Sequence, residues 1–375
     1  MKYKVTQEIK IRSQPSFTRG EEMGTLKPGF IVDVVKEAKD LDSEDIWLKD
    51  NNDFFYWKGA VEEAFPINTD EQTPMNFYDS KIPNWNSGNF DVTRFWPKTT
   101  GRGIKVAVID SGIYQHKDLI DAIDQNNQKA FGSNSIEDTN GHGTHVAGII
   151  AARGVSDIYG IAPESIVVPI KVGDGEKFSN KNLIDAINHA SSIPDVKVIN
   201  MSLKANRNDE SGITQLKIAI NNAIHKGKII VAPSGNNYRD RIDDPASFDN
   251  VIAVSSVFRD TSSPNESYLI QRASHYGNQE RSVNICAPGV DVISCMNKQE
   301  GTHLKSGTSM AAAYISGIIA LKLQKNLSLN AFDILNTLSN SIFQFAPRQI
   351  NPHNTIPEDQ TIKLPVLEPY LFINR

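Results

Sequence analysis

Three glycine-rich turns of this chain hold side chains typical of nucleophilic and acid–base chemistry. Asp110, His142 and Ser309 stand in the sequences VIDSG, NGHGTHVAG and GTSMA. A serine hydroxyl is a poor nucleophile near neutral pH and needs a base within hydrogen-bond reach. Imidazole, with a pKa of ~6.5, accepts and returns a proton at that pH, and a carboxylate fixes its tautomer. The three residue types therefore predict acyl-transfer chemistry if the fold brings them together.

Ser309 begins an apolar stretch, 309–323, that is rich in small residues and favours a helix. The first turn of a helix presents backbone amides to negative charge, such as the charge that develops on a substrate carbonyl. Serine is also a common helix N-cap, and that reading stays open for Ser309 taken alone.

His142 is the candidate base. Its neighbours Gly141 and Gly143 carry no side-chain bulk, so we expect the imidazole to approach both Ser309 and a substrate. His145 lies one helical turn away, and two histidines at this spacing are also a metal-ligand pattern. No nearby cysteine or second acid completes a zinc set, so we expect no metal.

Asp110 is the candidate partner of the imidazole. Its sequence Asp-Ser-Gly also occurs in aspartic proteases, but a single-chain aspartic protease needs two such loops and this chain has one. We therefore expect Asp110 to accept the second ring proton of His142 and to stabilise the imidazolium.

Taken together, the three motifs resemble those of the subtilisin-like serine proteases, the subtilases. The chain order Asp, His, Ser is the order found in subtilisin. The resemblance covers roughly residues 85–340 and implies a serine endopeptidase on a doubly wound α/β fold.

The resemblance also implies an oxyanion donor and a substrate-binding edge. Asn236, in the sequence VAPSGN, matches the family's side-chain donor to the oxyanion, although a plain turn asparagine is the alternative reading. The implied substrate strand runs beside Ser202, Leu203 and Lys204, with Ser234 and Gly235 nearby. The list of implied substrate-binding residues is Ser202, Leu203, Lys204, Ser234 and Gly235.

Two departures from the family pattern affect specificity and cofactors. Lys204 stands where many relatives have glycine, and a long cation there favours acidic side chains or narrows the cleft, unless it is a solvated surface lysine. The loop 153–157 lacks the asparagine-rich ligands of a common subtilase calcium site. We therefore expect no cofactor and no metal, and the sequence does not support a calcium ion.

The elements that must position these residues follow from short apolar runs. Nearly unbroken hydrophobicity over four to six residues is typical of strands covered on both faces, as in parallel sheets. Helical spacing of apolar residues between the runs predicts a doubly wound α/β domain, whose ligands bind beyond the carboxyl ends of the strands. The predicted strands are 105–109, 166–170, 196–199, 228–231 and 251–254, and the predicted helices lie around 183–190 and 216–224.

The rest of the chain has a different composition. Residues 1–63 alternate short β-branched runs with polar turns and resemble bacterial SH3-like domains, which predicts a small all-β barrel that binds a protein partner. A protease pro-domain of similar length is the alternative, although no helical period is visible. We expect a linker at 64–85, a catalytic domain at 86–345, and a proline-rich tail at 346–375 that is extended or wraps the surface and regulates access to the cleft.

Bulk properties narrow the class of partner. With 375 residues and a net charge of −5, the chain has no basic excess for nucleic acid or an anionic membrane. It has two cysteines, no signal-like N-terminus and no apolar run of about 18 residues, and we therefore expect a cytoplasmic protein.

The sequence thus predicts a serine endopeptidase that cleaves a protein or peptide substrate through an acyl-enzyme. Two other readings stay open at this point: a binding or scaffold protein with an inactive protease domain, and an acyl transferase or peptide ligase that uses the same site.

Overall fold

The computed structural model describes most of the chain and divides it into two compact units. The units are Met1–Met75 and Asn76–Arg375. The described residues are 2–5, 9–14, 16, 18, 22–26, 31–50, 55–63, 90–173, 178–237, 241–259, 268–271, 274, 282–347 and 363–374. The predicted linker, 64–85, lies outside them.

The N-terminal unit contains seven antiparallel strands in the order β3-β2-β6-β5-β4-β1-β7. Strand β4 pairs with β1 through its first residues and with β5 through its last, with a register shift at Val34 and Lys36. The strands are β1 Lys2–Val5, β2 Ile9–Arg12, β3 Glu22–Leu26, β4 Ile31–Lys39, β5 Ile46–Asp50, β6 Phe55–Trp57 and β7 Val61–Glu63.

The closed SH3-like barrel predicted for this unit is not shown. Closure would need β3 to pair with β7, and no such pairing occurs between the described residues of the unit. A local core is nevertheless present, since Trp47 is buried and its indole N–H donates to Asp40 Oδ2 over 2.7 Å.

The second unit is built on a large, mostly parallel sheet. Its order is β18-β19-β15-β13-β12-β11-β8-β10-β9, with β14 paired to β13. Of its strands in the described residues, β14 and β18 join antiparallel and the others are parallel. The strands are β8 Lys105–Asp110, β9 Lys129–Ala130, β10 Ile166–Lys171, β11 Val196–Asn200, β12 Ile229–Pro233, β13 Val251–Arg259, β14 Tyr268–Ile270, β15 Ile285–Pro288, β18 Ile342–Pro347 and β19 Lys363–Leu367, and a separate hairpin is formed by β16 Val292–Cys295 and β17 Thr302–Lys305.

Six α-helices accompany the strands in the described part of this unit. Helices α1 and α4 pack together, as do α2 and α3, and each pair covers part of the sheet. Helix α4 is buried over most of its length, which explains why it is apolar on nearly every side. The helices are α1 His142–Ala151, α2 Asn180–Ser192, α3 Glu210–His225, α4 Thr308–Lys325, α5 Ala331–Ser339 and α6 Pro369–Asn374. No helix among the described residues has the length and apolar composition needed to cross a membrane.

The strand order creates a crevice beside β8. The chain leaves β8 for β10 on one side and later returns to β11 on the other, so β8 and β11 flank a topological switch point. Ligands of doubly wound sheets bind outside the carboxyl ends of strands at such a point. Asp110 ends β8, and Ser202 follows β11 by two residues.

The C-terminal segment corrects the prediction of an extended or surface-wrapping tail. Strand β19 pairs with both β15 and β18, and α6 follows it. Val366 and Phe372 are fully buried, and Lys322 of α4 lies 5.3 Å from the centre of the Phe372 ring. The strand was not predicted from the sequence, because this region is rich in proline and proline argues against an inner strand.

Candidate active site

The predicted chemical residues meet in one cavity of about 850 Å³ at the carboxyl edge of the sheet. Ser234, predicted to bind substrate, is fully buried and is not part of the cavity wall; its backbone pairs with Val254 and Asp243 instead. The predicted residues that do line the cavity are Asp110, His142, Ser202, Leu203, Lys204, Gly235, Asn236 and Ser309.

Asp110 holds the imidazole of His142. The His142 Nδ1 atom lies 2.8 Å from Asp110 Oδ1, and the side chain of His142 is 27% exposed. Since a carboxylate only accepts, Nδ1 carries the proton and Nε2 is the basic nitrogen. Burial lowers the pKa of His142, but the charge and the hydrogen bond of Asp110 together outweigh it, so this pKa is raised above its usual 6.5.

Asp138, which the sequence analysis missed, fixes the loops that carry this pair. Its buried carboxylate accepts from the Ser111 hydroxyl over 2.9 Å and from the Gly141 N–H over 2.8 Å. It also accepts from both the N–H and the hydroxyl of Thr144, over 2.9 and 2.6 Å. The available signal was an acidic residue shortly before the histidine pair, because an acidic side chain there can bond the free N–H groups of the first turn of a helix.

Gly143 is needed for a different reason from the one the sequence suggested. A Cβ atom there would lie 2.1 Å from the carbonyl oxygen of Gly112 and 3.1 Å from the Asp110 side chain. The glycine therefore lets α1 approach the loop after β8, rather than clearing a path for substrate.

Ser309 lies in the first turn of α4 and is 8% exposed. Its hydroxyl donates to the carbonyl oxygen of Ser202 over 3.3 Å, and the Ser202 hydroxyl donates back to the Ser309 carbonyl over 3.1 Å. Within the described part of the chain, the Ser309 hydroxyl makes no hydrogen bond to His142. The two side chains share the cavity, and a 3.3 Å bond is a weak restraint on the hydroxyl.

The amide of Asn236 is oriented by Thr308. Its Oδ1 atom accepts from the Thr308 N–H over 2.9 Å and from the Thr308 hydroxyl over 3.0 Å. Because the oxygen is engaged on that side, the exposed NH₂ group is left to donate toward the cavity that Asn236 lines. An N–H donor held in this way can stabilise negative charge that appears on a carbonyl oxygen.

His145 ties α1 to the β16–β17 hairpin. It is fully buried, and Nε2 lies 3.0 Å from the Val292 carbonyl oxygen and 2.9 Å from that of His303. Burial lowers its pKa to about 3, so the ring is neutral and its Nε2–H donates. This contact gives His145 a structural role, and the neutral, engaged Nε2 is not available to a metal.

Many subtilases have a calcium site at the position of loop 153–157. The residues around this loop in the present chain do not fit a calcium ion. The buried carboxylate of Asp118 accepts N–H groups of Ser156, Asp157 and Ile158 over 2.6, 2.9 and 2.9 Å. A carboxylate has about four lone-pair sites, and three N–H dipoles fill most of them and present positive charge where a cation would have to sit.

Comparison with known proteins agrees with this geometry. The model of the subtilase family, Peptidase_S8, matches residues 101–360. The major intracellular serine protease of Bacillus subtilis (strain 168) is 35% identical over 247 residues, which is 60% of this chain and 70% of that protein. Subtilisin Savinase of Lederbergia lenta is 36% identical over 244 residues, covering 64% of this chain and 84% of that protein.

Solved structures give the same result. The structure titled Sphericase superposes with a TM-score of 0.59 at 30% identity, covering 70% of this chain and 90% of its own. The chain therefore belongs to the subtilase family and is a subtilisin-like serine endopeptidase.

Proposed function

We propose that Asp110, His142 and Ser309 are the residues that carry out peptide hydrolysis. The observation that carries this proposal is the 2.8 Å contact between Asp110 and His142 Nδ1, in a cavity that Ser309 also lines. That contact leaves Nε2 free to act as a base at the pH where serine needs one.

In this mechanism the hydroxyl of Ser309 turns from the Ser202 carbonyl toward Nε2 of His142. The imidazole takes the proton while Oγ attacks the substrate carbonyl, and Asp110 stabilises the imidazolium that forms. The NH₂ group of Asn236 and the N–H of Ser309 receive the oxyanion; the latter belongs to the first turn of α4, whose N–H groups have no acceptor within the helix. His142 then protonates the leaving amine, and water hydrolyses the acyl-enzyme through the same base.

The substrate chain lies along the edge formed by Ser202, Leu203 and Lys204, and Gly235 lines the same cavity. An extended peptide can add to such an edge through its backbone groups, which grips many sequences alike. Ser202 has a second role in this proposal, since its carbonyl holds the resting hydroxyl of Ser309.

A fluorophosphonate probe tests these roles directly. Wild-type protein should become labelled on Ser309, whereas Ser309→Ala and His142→Ala should not. Folded wild-type protein that resists labelling would favour the scaffold reading. Product analysis with an added amine distinguishes a hydrolase from an acyl transferase or peptide ligase. A transferase or ligase would give mainly the aminolysis product, whereas a hydrolase gives the acid.

We also propose that residues 1–63 dock a protein partner as an SH3-like domain. Support comes from their all-antiparallel strands and from their separation into a unit of their own. Deleting them should spare cleavage of small peptides and impair cleavage of protein substrates. A deletion variant that fails to fold would instead support the pro-domain reading.

A cytoplasmic site of action is part of the same proposal. One relative at 35% identity carries the name major intracellular serine protease, and both cysteines of this chain are free and buried. Cell fractionation with an antibody should find the protein with cytosolic markers; recovery from the medium would refute this.

A further inference from the structure

Two lysines from different elements line the cavity. Lys305 ends β17, four residues before Ser309, and Lys204 follows β11. Within the described residues neither ammonium group has an ion-pair or hydrogen-bond partner. The carboxylate of Asp110, which shares the cavity, is engaged by His142 instead. Asp243 also lines the cavity, and among the described residues it forms no ion pair with either lysine, so both ammonium groups are available to a substrate carboxylate.

Lys305 lies on the same side of the scissile position as His142. The β16–β17 hairpin is fixed to α1, which begins at His142, by the two hydrogen bonds from His145 to Val292 and His303. The charge of Lys305 lowers the pKa values of both His142 and His145, which places the ammonium within electrostatic range of the imidazole. The other charged groups that act on His142 are Asp110 and Asp138, which both raise its pKa.

The chemistry fixes which part of the substrate lies beside Lys305. The imidazole must protonate the leaving amine, so the amine and the residue that begins with it lie on the His142 side of Ser309. Lys204 follows β11 and belongs to the edge that we propose for the substrate chain. Lys305 is among the charges that most shift the pKa of His142 and Lys204 is not, so Lys305 is the lysine assigned to the leaving-group side.

We propose that Lys305 selects substrates with an acidic side chain, Asp or Glu, immediately after the scissile bond. This proposal rests on the proposed function and names the substrate class of that site. A carboxylate at this substrate position pairs with Lys305 inside a cavity, where the attraction is screened less than on an open surface. It also neutralises the charge that opposes protonation of His142.

Paired fluorogenic peptides that differ only by Glu or Gln after the scissile bond test the proposal. The wild-type enzyme should prefer Glu by about 3- to 5-fold in kcat/KM, the range of a partly screened ion pair. Lys305→Met should abolish the preference, and Lys305→Glu should reverse it toward a peptide with Lys at that position. Raising the salt concentration should reduce the wild-type preference and leave Lys305→Met unaffected.

Lys204→Met is the matched control, because it removes the same charge from a different element that lines the same cavity. The ratio between the Glu and Gln peptides should be the same in Lys204→Met as in the wild type. If this ratio falls equally in Lys204→Met and Lys305→Met, the assignment of Lys305 to the leaving-group side is wrong.

A pH profile gives a readout that a purely structural lysine would not move. With the Glu peptide, the acid limb of kcat should lie at higher pH than with the Gln peptide, because the bound carboxylate cancels the effect of Lys305 on His142. This difference should vanish in Lys305→Met. If the wild type hydrolyses both peptides and its ratio of kcat/KM between the Glu and Gln peptides equals that of Lys305→Met, this inference alone is refuted. If the wild type shows neither hydrolysis nor probe labelling, the proposed function is refuted.

Discussion

His145 should make the catalytic unit lose stability as the pH falls below about 6.5. Its ring is fully buried and neutral in the folded state, with a pKa lowered by burial to about 3, and its Nε2–H is shared between two carbonyl oxygens. In the unfolded chain the same ring has its usual pKa of 6.5 and binds a proton below that pH. Protons bound only by the unfolded state favour unfolding, so stability falls as the pH drops from 6.5 toward 3.

The magnitude follows from the difference between the two pKa values. Each pKa unit corresponds to about 1.4 kcal/mol, so the loss is about 2 kcal/mol at pH 5 and on the order of 5 kcal/mol at pH 3. For a unit of this size, about 2 kcal/mol corresponds to a fall of roughly 4–8 °C in Tm. His142 has the opposite sign: its raised folded pKa adds stability below 6.5 that is lost as the pH rises through the folded pKa.

The comparison that isolates His145 is between the parent and His145→Gln, both in a Ser309→Ala background that prevents self-cleavage. Glutamine keeps an N–H donor for the Val292 carbonyl but cannot be protonated. Thermal unfolding is followed by the helical circular-dichroism signal, because all α-helices in the described residues belong to the second unit. Between pH 8 and pH 5 the parent should lose roughly 4–8 °C more than His145→Gln. Parallel losses in the two proteins would refute the reasoning, whatever the constant offset between them.

Four further predictions follow from the same geometry. Because the pKa of His142 is raised, the acid limb of kcat/KM should lie above pH 6.5, and a limb below 6.5 in a pH–rate profile would contradict this. Asn236→Ala should lower kcat by roughly 10²–10³, the loss measured in subtilisin, with KM little changed. Thr308→Val should lower kcat by only about 5-fold, because the Thr308 N–H still orients the Asn236 amide. Truncation after Ile342 should lower Tm or prevent folding, since buried residues of β19 and α6 are lost; an unchanged Tm would restore the regulatory-tail hypothesis. Added calcium or a chelator should leave Tm unchanged, because N–H donors occupy the carboxylate of Asp118; a calcium-dependent rise that Asp118→Asn abolishes would overturn this.

The strands of the parallel sheet were the part of the fold that the sequence predicted best. The predicted strands at 105–109, 166–170 and 196–199 agree with β8, β10 and β11 to within a residue at either end. Continuous apolar runs of this kind arise because both faces of the strand are covered, so the signal is local. The helices α2 and α3 were found for a similar reason, since each shows one apolar stripe, and α3 is followed by Gly227 at a φ of +79°.

The parts that sequence reading missed depend on contacts between distant segments. Strand β19 is short, contains Pro365 and pairs with β15, so its place in the sheet follows from its partners and not from its own pattern. In the sequence, Asp138 does not differ from other acidic residues in loops. Its role follows from the hydrogen bonds that Ser111 and Thr144 donate to it in the fold. Ser234 follows a strand end, as the other site residues do, but its position turns the side chain into the buried interior.

The positions of the chemical groups are set by hydrogen bonds between small polar residues at the ends of these elements. Ser202 and Ser309 exchange bonds between the end of β11 and the start of α4, and Thr308 holds Asn236 after β12. Each bond joins segments more than 70 residues apart, because parallel strands place their carboxyl ends at the same edge. In the sequence such serines, threonines and asparagines cannot be told from loop residues. The chemistry-bearing side chains could therefore be named from their motifs, whereas the hydrogen bonds that orient them required the fold.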